Sequence, residues 1–443
     1  MATEKCDVKP CVRSQPLSTV VSVFTNIEPR KNTDCSTNLM YLVDEQGVLN
    51  ISDPNSATLL DTENRTIQIS SIEQLLSYYD KCSRIYFELK RLFSVPYGDL
   101  VRPKYVTLVY WDSASEQMAD VIKEVHQCNS CFYAVSHVAY DKNGKLLADD
   151  GTNTAAIAAM QLPIAEWGAT NNVVSFFPIA DKVTLSNIAE QTSVASQAKQ
   201  LGYFNSVFTL LNNECPFVLD ETTCEPVSPA TTETVYGMQH LLAAGIAVSH
   251  SAKNQNYVYN FKFKPKGGVE FPNISVADLS TPDFFSIQGS SPNLGGVVAS
   301  AGHHVNVYYN LGGEYNIFAE GVSATGISID KLFYRRYIYD YLQQLIVGKL
   351  VNTDYLSVTD EKELKALLLI SAKKFVDQGI IDNSKGALDK SEFDADSIFL
   401  EANGWVFLKP VSSKPIRMTD LIQFCYQEPE AIDYVQISLC GGK

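Results

Sequence analysis

Residues 105–111 read Tyr-Val-Thr-Leu-Val-Tyr-Trp. Odd and even positions alike carry apolar side chains, so a strand built from them is covered on both faces, as in a parallel sheet between layers of helices. The chain that follows switches between two periods. Met118, Val121, Ile122 and Val125 share one helical face. Residues 131–138 then predict a strand, 154–167 a helix with a break at Pro163, and 173–178 a strand. A helix over 187–201, closed by Gly202 at the C′ position, a strand over 206–211 and a helix over 233–244 complete the series. Strands alternating with helices of this length define βαβ units and a mainly parallel sheet.

Upstream, Ser70-Ser71-Ile72-Glu73 reads as a capping box in which Ser70 and Glu73 satisfy free N–H groups at a helix start. Ile72, Leu75, Leu76 and Tyr79 line that helix, and Ile85, Tyr86, Leu89, Leu92 and Phe93 line a second amphipathic stretch. Before residue 65 helical periodicity is poor. The clearest strand there is β-branched: Thr19, Val20, Val21, Ser22, Val23 and Phe24, set among prolines and short polar residues.

Downstream of 250 the pattern changes. Residues 257–264 alternate as a half-exposed strand, and 305–310 and 315–320 flank Gly312-Gly313 as a hairpin. The strongest helix signal spans 330–350, with Leu332, Phe333, Tyr337, Tyr341, Leu342, Leu345 and Ile346 as its stripe. A second helix over 360–378 has Asp360 and Glu363 as a capping pair and stops at Gly379. Residues 404–410 and a final alternating run, 432–439, read as strands; that run includes Tyr434, Val435, Gln436, Ile437, Ser438 and Leu439. The expected fold class is α/β (α+β): a central, mainly parallel α/β sheet domain, a C-terminal α+β domain, and extended strand-bearing arms at both termini. The boundaries are 1–65 for the N-terminal arm and linker, 66–250 for the α/β domain and 251–326 for a β-rich connecting segment. The C-terminal domain covers 327–428 and the C-terminal arm 429–443.

Composition narrows the function. In 443 residues, 45% hydrophobic and 19% charged, a sizeable core is available and disorder throughout is excluded. With 35 Lys and Arg against 50 Asp and Glu the net charge is −15, which disfavours nucleic-acid or anionic-membrane binding. No apolar run reaches the length of a membrane span, and the first residues, Met-Ala-Thr-Glu-Lys-Cys, lack the apolar core of a secretory signal. Synthesis and folding in a cytoplasm, with the ten scattered cysteines mostly reduced, is the expectation.

Motifs for catalysis are lacking. The loops contain neither G-x-G-x-x-G nor G-x-x-x-x-G-K-[ST], so no backbone cradle for phosphate is visible. The nearest approach to a nucleophile elbow, Gly321-Val322-Ser323-Ala324-Thr325, fails at its last position. His126, Cys128, Cys131 and His137 have the residue types of a zinc site. However, Cys131 and His137 fall on one predicted strand, ~20 Å apart when extended, so buried thiols are the favoured reading over zinc or a redox pair. His303 and His304 would point to opposite faces of an extended chain, against joint ligation. The run Phe333-Tyr334-Arg335-Arg336-Tyr337-Ile338-Tyr339-Asp340-Tyr341 is read as a core stripe with an interface face. No cofactor and no metal are expected.

The C-terminal third carries a resemblance. Gly326-Ile327-Ser328-Ile329-Asp330 leads into the aromatic helix. Thr353-Asp354, a second helix and Phe375-Val376-Asp377-Gln378-Gly379-Ile380-Ile381 follow, then Gly404-Trp405-Val406-Phe407, the Pro410-Val411-Ser412-Ser413 turn and the last alternating strand. This order resembles the tail sheath proteins of contractile-tailed bacteriophages. Phe132-Tyr133-Ala134-Val135, Ala165-Glu166-Trp167 and Leu201-Gly202-Tyr203-Phe204-Asn205 are similar to that family's central domain, so the resemblance covers roughly residues 60–440. Where the family often has Asp-Trp-Leu in the long helix, this chain has Asp340-Tyr341-Leu342.

The resemblance implies a non-enzymatic subunit of a virion tail, assembled in the bacterial host cytoplasm as stacked hexameric rings around a tail tube protein. Baseplate and neck or terminator proteins are its further partners, with no nucleic acid bound and no membrane insertion. Contraction drives the tube through the host envelope and consumes no nucleotide. In that setting the terminal strands, 19–24 and 434–439, are expected to pair in neighbouring subunits. Cys6, Cys11 and Cys440 then stand nearest the junctions as candidates for inter-subunit disulfides. Two other readings stand beside it: another tail or baseplate component, or the sheath of a related contractile injection system; and, less favoured, an α/β enzyme with an unrecognised site.

Overall fold

The computed structural model describes residues 38–43, 60, 62, 65–79, 85–86, 89, 92–93, 105–128, 132–141, 145–181, 191–211, 244, 303–306, 308–311, 315–318, 321–351, 358–381, 398–399, 406–409 and 421–424. They fall into two compact units, divided in the described chain between Phe333 and Tyr334.

The first unit is α/β. Its sheet contains β1 (Asn38–Val43), β2 (Thr66–Ile69), β3 (Tyr105–Tyr110), β4 (Ala134–His137), β5 (Val174–Ile179), β6 (Ser206–Leu210) and β7 (Val305–Asn306). The spatial order is β2-β3-β1-β4-β5-β6-β7. Every neighbouring pair is parallel except β2 with β3. Strands β4, β5 and β6 are buried at every position, whereas edge strand β2 is buried only at Ile69. The unbroken apolar character of 105–111 has that origin: β3 lies inside the sheet between β1 and β2.

Among the described residues, the helices that accompany this sheet include α1 (Ile72–Leu75), α2 (Met118–Cys128), α3 (Thr154–Asn171) and α4 (Val194–Gln200). Helix α2 buries Met118, Val121, Ile122 and Val125, the face its sequence predicts. The cap of α1 is displaced by one residue from the expected box. Ser71 Oγ accepts from the Gln74 backbone N–H at 3.2 Å, and Gln74 Oε1 accepts from the Ser70 N–H at 2.8 Å. Gly202 ends the stretch after α4 with φ +73°, as expected.

Further sequence expectations need correction. Helix α3 runs unbroken through Pro163. The carbonyl that loses its donor belongs to exposed Ala159, where water can serve it, while Ile157, Ile164 and Trp167 hold the helix by burial. An interior strand of the sheet, β1 between β3 and β4, comes from residues 38–43, a stretch the sequence left unmarked because its Leu, Met and Tyr lack the β-branching that drew attention to 19–24. The run 305–310 is two elements. Val305 and Asn306 join the sheet beside β6, and only β8 (Tyr308–Leu311) pairs with β9 (Tyr315–Phe318) as the expected antiparallel hairpin.

Gly168 lets α3 approach β5. A Cβ there would lie 2.7 Å from the Val173 carbonyl oxygen and 2.8 Å from Ser175 Oγ. The first obstacle is backbone and cannot swing aside, so Gly168→Ala is expected to cost about 1–3 kcal/mol, read as a lowered thermal midpoint. Gly202→Ala meets no atom within 4 Å and is strained through its positive φ alone.

The second unit contains most of α5 (Ile329–Val351), then α6 (Val358–Asp377), and a three-stranded antiparallel sheet in the order β10 (Ile398–Phe399), β11 (Val406–Lys409), β12 (Leu421–Phe424). Helix α6 begins two residues ahead of the expected cap at Asp360 and ends at Gly379, φ +68°. Tyr341 and Tyr337 meet Phe375 edge-on, with ring centroids 5.3 and 6.1 Å apart. Lys374 Nζ lies 4.0 Å over the Tyr341 ring, a cation–π contact. The stripe drawn from α5's sequence is buried at its start, at Leu332 and Phe333, and not beyond. Tyr337, Tyr341, Leu342, Leu345 and Ile346 are half-buried, whereas Phe333, Arg336, Asp340 and Gln343 are buried at helical spacing. Arg336 Nε lies 3.0 Å from Asp340 Oδ1, so an ion pair occupies a face that hydrophobic periodicity cannot register.

Candidate functional site

In open α/β sheets ligands bind in the crevice beyond the carboxyl ends of the strands. Here the carboxyl ends of β4, β5 and β6 are covered by the chain itself. Ala139, Tyr140, Ala148, Ala180 and Leu211 form a buried apolar cluster, with Leu146 packed against it. Beside it sits Asp149, fully buried. Its Oδ1 accepts from Thr154 Oγ1 at 2.6 Å and from the Gly151 N–H at 3.1 Å, and its Oδ2 accepts from the Val194 N–H at 2.8 Å. Its backbone carbonyl accepts from Ala180 and Asp181 at 2.7 and 3.0 Å. One residue thus fastens the start of α3, the end of β5 and the start of α4. Gly151, at φ +83°, leaves room for Asp181, whose Oδ2 would lie 2.7 Å from an added Cβ. Asp150 caps the same turn through the N–H groups of Thr152 and Asn153 at 2.9 and 3.0 Å.

His137 ends β4 and is buried. Its Nδ1 lies 2.6 Å from the Val138 carbonyl, which only accepts, so Nδ1 carries the proton and Nε2 receives Gln161 Nε2–H at 3.1 Å. Burial, partly opposed by that backbone hydrogen bond, holds its pKa down to about 4. The unfolded chain therefore takes up this proton first. The stabilisation is complete above about pH 6.5 and is lost as pH falls toward 4, by about 2 kcal/mol at pH 5. His137→Gln is expected to flatten the pH dependence of the thermal midpoint between pH 7 and 5; an unchanged slope would refute this.

Near the amino end of β2, Arg65 is buried and grips Glu116 with two hydrogen bonds, Nη1 to Oε2 at 2.9 Å and Nη2 to Oε1 at 2.8 Å. That pair holds the Glu116 carboxyl below its usual range. Glu124 lies 3.3 Å from Arg65 Nε, off hydrogen-bond geometry.

Of the residue types weighed for zinc, the two histidines are held apart. His126 packs edge-on against Phe132 and Trp167 at 5.5 and 5.0 Å, whereas His137 is engaged with Gln161. Cys128 is an exposed thiol at the end of α2, and Cys131 lies outside the described residues. Among the described residues no three His, Cys, Asp or Glu side chains are grouped to hold a metal ion, and no helix is long and apolar enough to cross a membrane. His303 and His304 meet different partners, Ser196 Oγ at 2.9 Å and the Ala324 carbonyl at 2.8 Å. The strands 19–24 and 434–439, and Cys6, Cys11 and Cys440, lie outside the described residues. Sequence reasoning passed over Asp149 and the Arg336–Asp340 pair. The i,i+4 spacing of the latter was visible; the donors to Asp149 were not, since Val194 is 45 residues away.

Asp149 and His137 are buried and hydrogen-bonded to the segments they hold. Their chemistry is that of fastening segments, since a general acid or base must reach a substrate.

No family model matches this sequence, and no curated protein matches it. Among solved structures the chain is similar to a chain in the cryo-EM structure of the anti-feeding prophage (AFP) baseplate, 6-fold symmetrised. The identity is 12%, the match covers 94% of this chain and 98% of that chain, and the TM-score is 0.49.

Proposed function

We propose that the chain is a structural, non-enzymatic subunit of a contractile phage-tail-like particle, and specifically its sheath protein, stacked as hexameric rings around a tail tube. The observation that carries this reading is the order of the C-terminal motifs. A long aromatic helix, a second helix closed at Gly379 and a small antiparallel sheet containing Val406 and Phe407 follow one another in the sequence the sheath resemblance requires. The small sheet also suits the assembly mode. Among the described residues β10 and β12 each pair on one side only, which leaves main-chain groups for a strand from another subunit. Residues 19–24 and 434–439 are the strands proposed to fill that role, and contacts of this head-to-tail kind propagate into helical arrays. The tube protein, baseplate and neck or terminator proteins are the proposed partners, in a virion tail assembled in the host cytoplasm.

Negative-stain electron microscopy of the purified protein tests the reading. Long striated cylinders or stacked rings are expected. Single rings that never stack point instead to a terminator or baseplate component, and small discrete particles to an enzyme.

The same arms bear Cys6, Cys11 and Cys440, which we propose as cross-links formed once the particle meets an oxidising medium. Particles alkylated and run on a denaturing gel are expected to give a ladder that collapses to 49.0 kDa on reduction. A monomer band in both lanes eliminates the cross-links.

A further inference from the structure

His304 has φ +56°, a left-handed conformation that strains a residue bearing a Cβ. It is buried, and its Nδ1 lies 2.8 Å from the Ala324 carbonyl. A carbonyl only accepts, so Nδ1 carries the proton and Nε2 the lone pair. Nε2 is buried and has no hydrogen-bond partner among the described residues. The ring lies against Gly326, φ +84°, where a Cβ would come within 2.9 Å of Cε1. The same loop is fastened to the sheet at two further points. The Ala324 N–H donates to the Ser206 carbonyl at 2.7 Å, and Asn306 exchanges two hydrogen bonds with the Val322 backbone at 2.8 and 3.0 Å. The loop in turn receives the start of α5, through the Ile329 N–H on the Gly321 carbonyl at 2.8 Å.

We propose that His304, with His303 beside it, is an acid-sensitive latch: proton uptake at its Nε2 loosens the loop 321–328 from the sheet and frees the first turn of α5. A second N–H on the ring has no acceptor among the described residues, and the new charge faces Lys199 from α4 and His303 from its own segment. The loop 321–328 contributes no ionisable side chain to offset it. Burial is the largest influence holding this imidazole below its usual pKa; the hydrogen bond to Ala324 opposes it, and Lys199 and His303 add to it. The neutral ring therefore latches fully above the ordinary histidine range, and the latch weakens as pH falls below it. The inference stands independently of the sheath reading.

Amide hydrogen exchange of the full chain at about pH 7.5 and about pH 5, scaled for the intrinsic rate, reads the latch at Val322, Ala324, Gly326 and Ile329. The comparison uses the His137→Gln chain, whose sheet has lost its own acid-sensitive imidazole; there the loop's protection is expected to fall severalfold at the lower pH, while amides of β4 and β5 keep theirs. His304→Asn supplies an amide N–H for Ala324, tolerates the left-handed backbone and does not titrate, so it is expected to keep the loop protected. Equal loss in loop and sheet, or the same selective loss in His304→Asn, overturns the latch. Should His304→Asn fail to fold, the comparison of loop with sheet in the His137→Gln chain decides alone.

Discussion

Deleting residues 1–28 or 430–443 is expected to abolish cylinder formation completely while leaving a folded, soluble subunit. The expectation follows from where strand-forming sequence lies relative to the folded units. The Thr19–Phe24 run and the final alternating run stand beyond the domain boundaries drawn from the sequence, whereas every described residue of the seven-stranded sheet lies between Asn38 and Asn306. Each arm, if it completes a neighbour's sheet, contributes main-chain hydrogen bonds that no side chain elsewhere replaces. On the proposed arrangement the loss of one arm removes a link repeated at every subunit, so the expected effect on a helical array is all-or-none rather than graded. Circular dichroism and sedimentation of the truncated proteins check that they fold. Cylinders formed by either one would show that the arms are not the links.

The second large effect is at Asp149. Its carboxylate accepts from Gly151, Thr154 and Val194, and Asp149→Ala leaves three buried or half-buried donors without an acceptor. Each such loss costs about 1–3 kcal/mol, and allowing for partial relaxation the expected total is about 4 kcal/mol. The thermal midpoint of the first unit should fall by roughly 10 °C. Asp149→Asn separates charge from geometry. Whichever way its amide turns, an NH2 group faces a donor, so it is expected to be nearly as damaging despite its matching size. A variant within about 0.5 kcal/mol of wild type would show that the three hydrogen bonds do not hold the loops.

Much of the first unit was legible because its burial is simple. The face of α2 and the β3, β4, β5 and β6 strands are read directly from the apolar period, since both faces of those strands are covered. Where the reading failed, another interaction overrode the pattern. Strand β1 carries Leu-Met-Tyr-Leu, none of it β-branched, and is unremarkable until its neighbours β3 and β4 close around it. Val305 and Asn306 are too short a strand for any periodicity to register. Helix α3 passes Pro163 because packing outweighs one lost backbone bond. The buried face of α5 carries Arg336, Asp340 and Gln343, polar residues that a hydrophobic stripe assigns to solvent. The site was the least legible part. Asp149 gains its role only when residues 151, 154 and 194 converge on it, and His304 only when a loop some twenty residues later folds against its ring.

The central claim, that this chain forms the sheath, is tested most directly on particles from the producing cells. An antibody raised against the folded protein, with gold-labelled detection under the electron microscope, reports where the subunit lies. The account predicts label along the whole tail shaft, with the labelled length shortening when the tail contracts. Label confined to one end of the shaft, and unmoved by contraction, would contradict it.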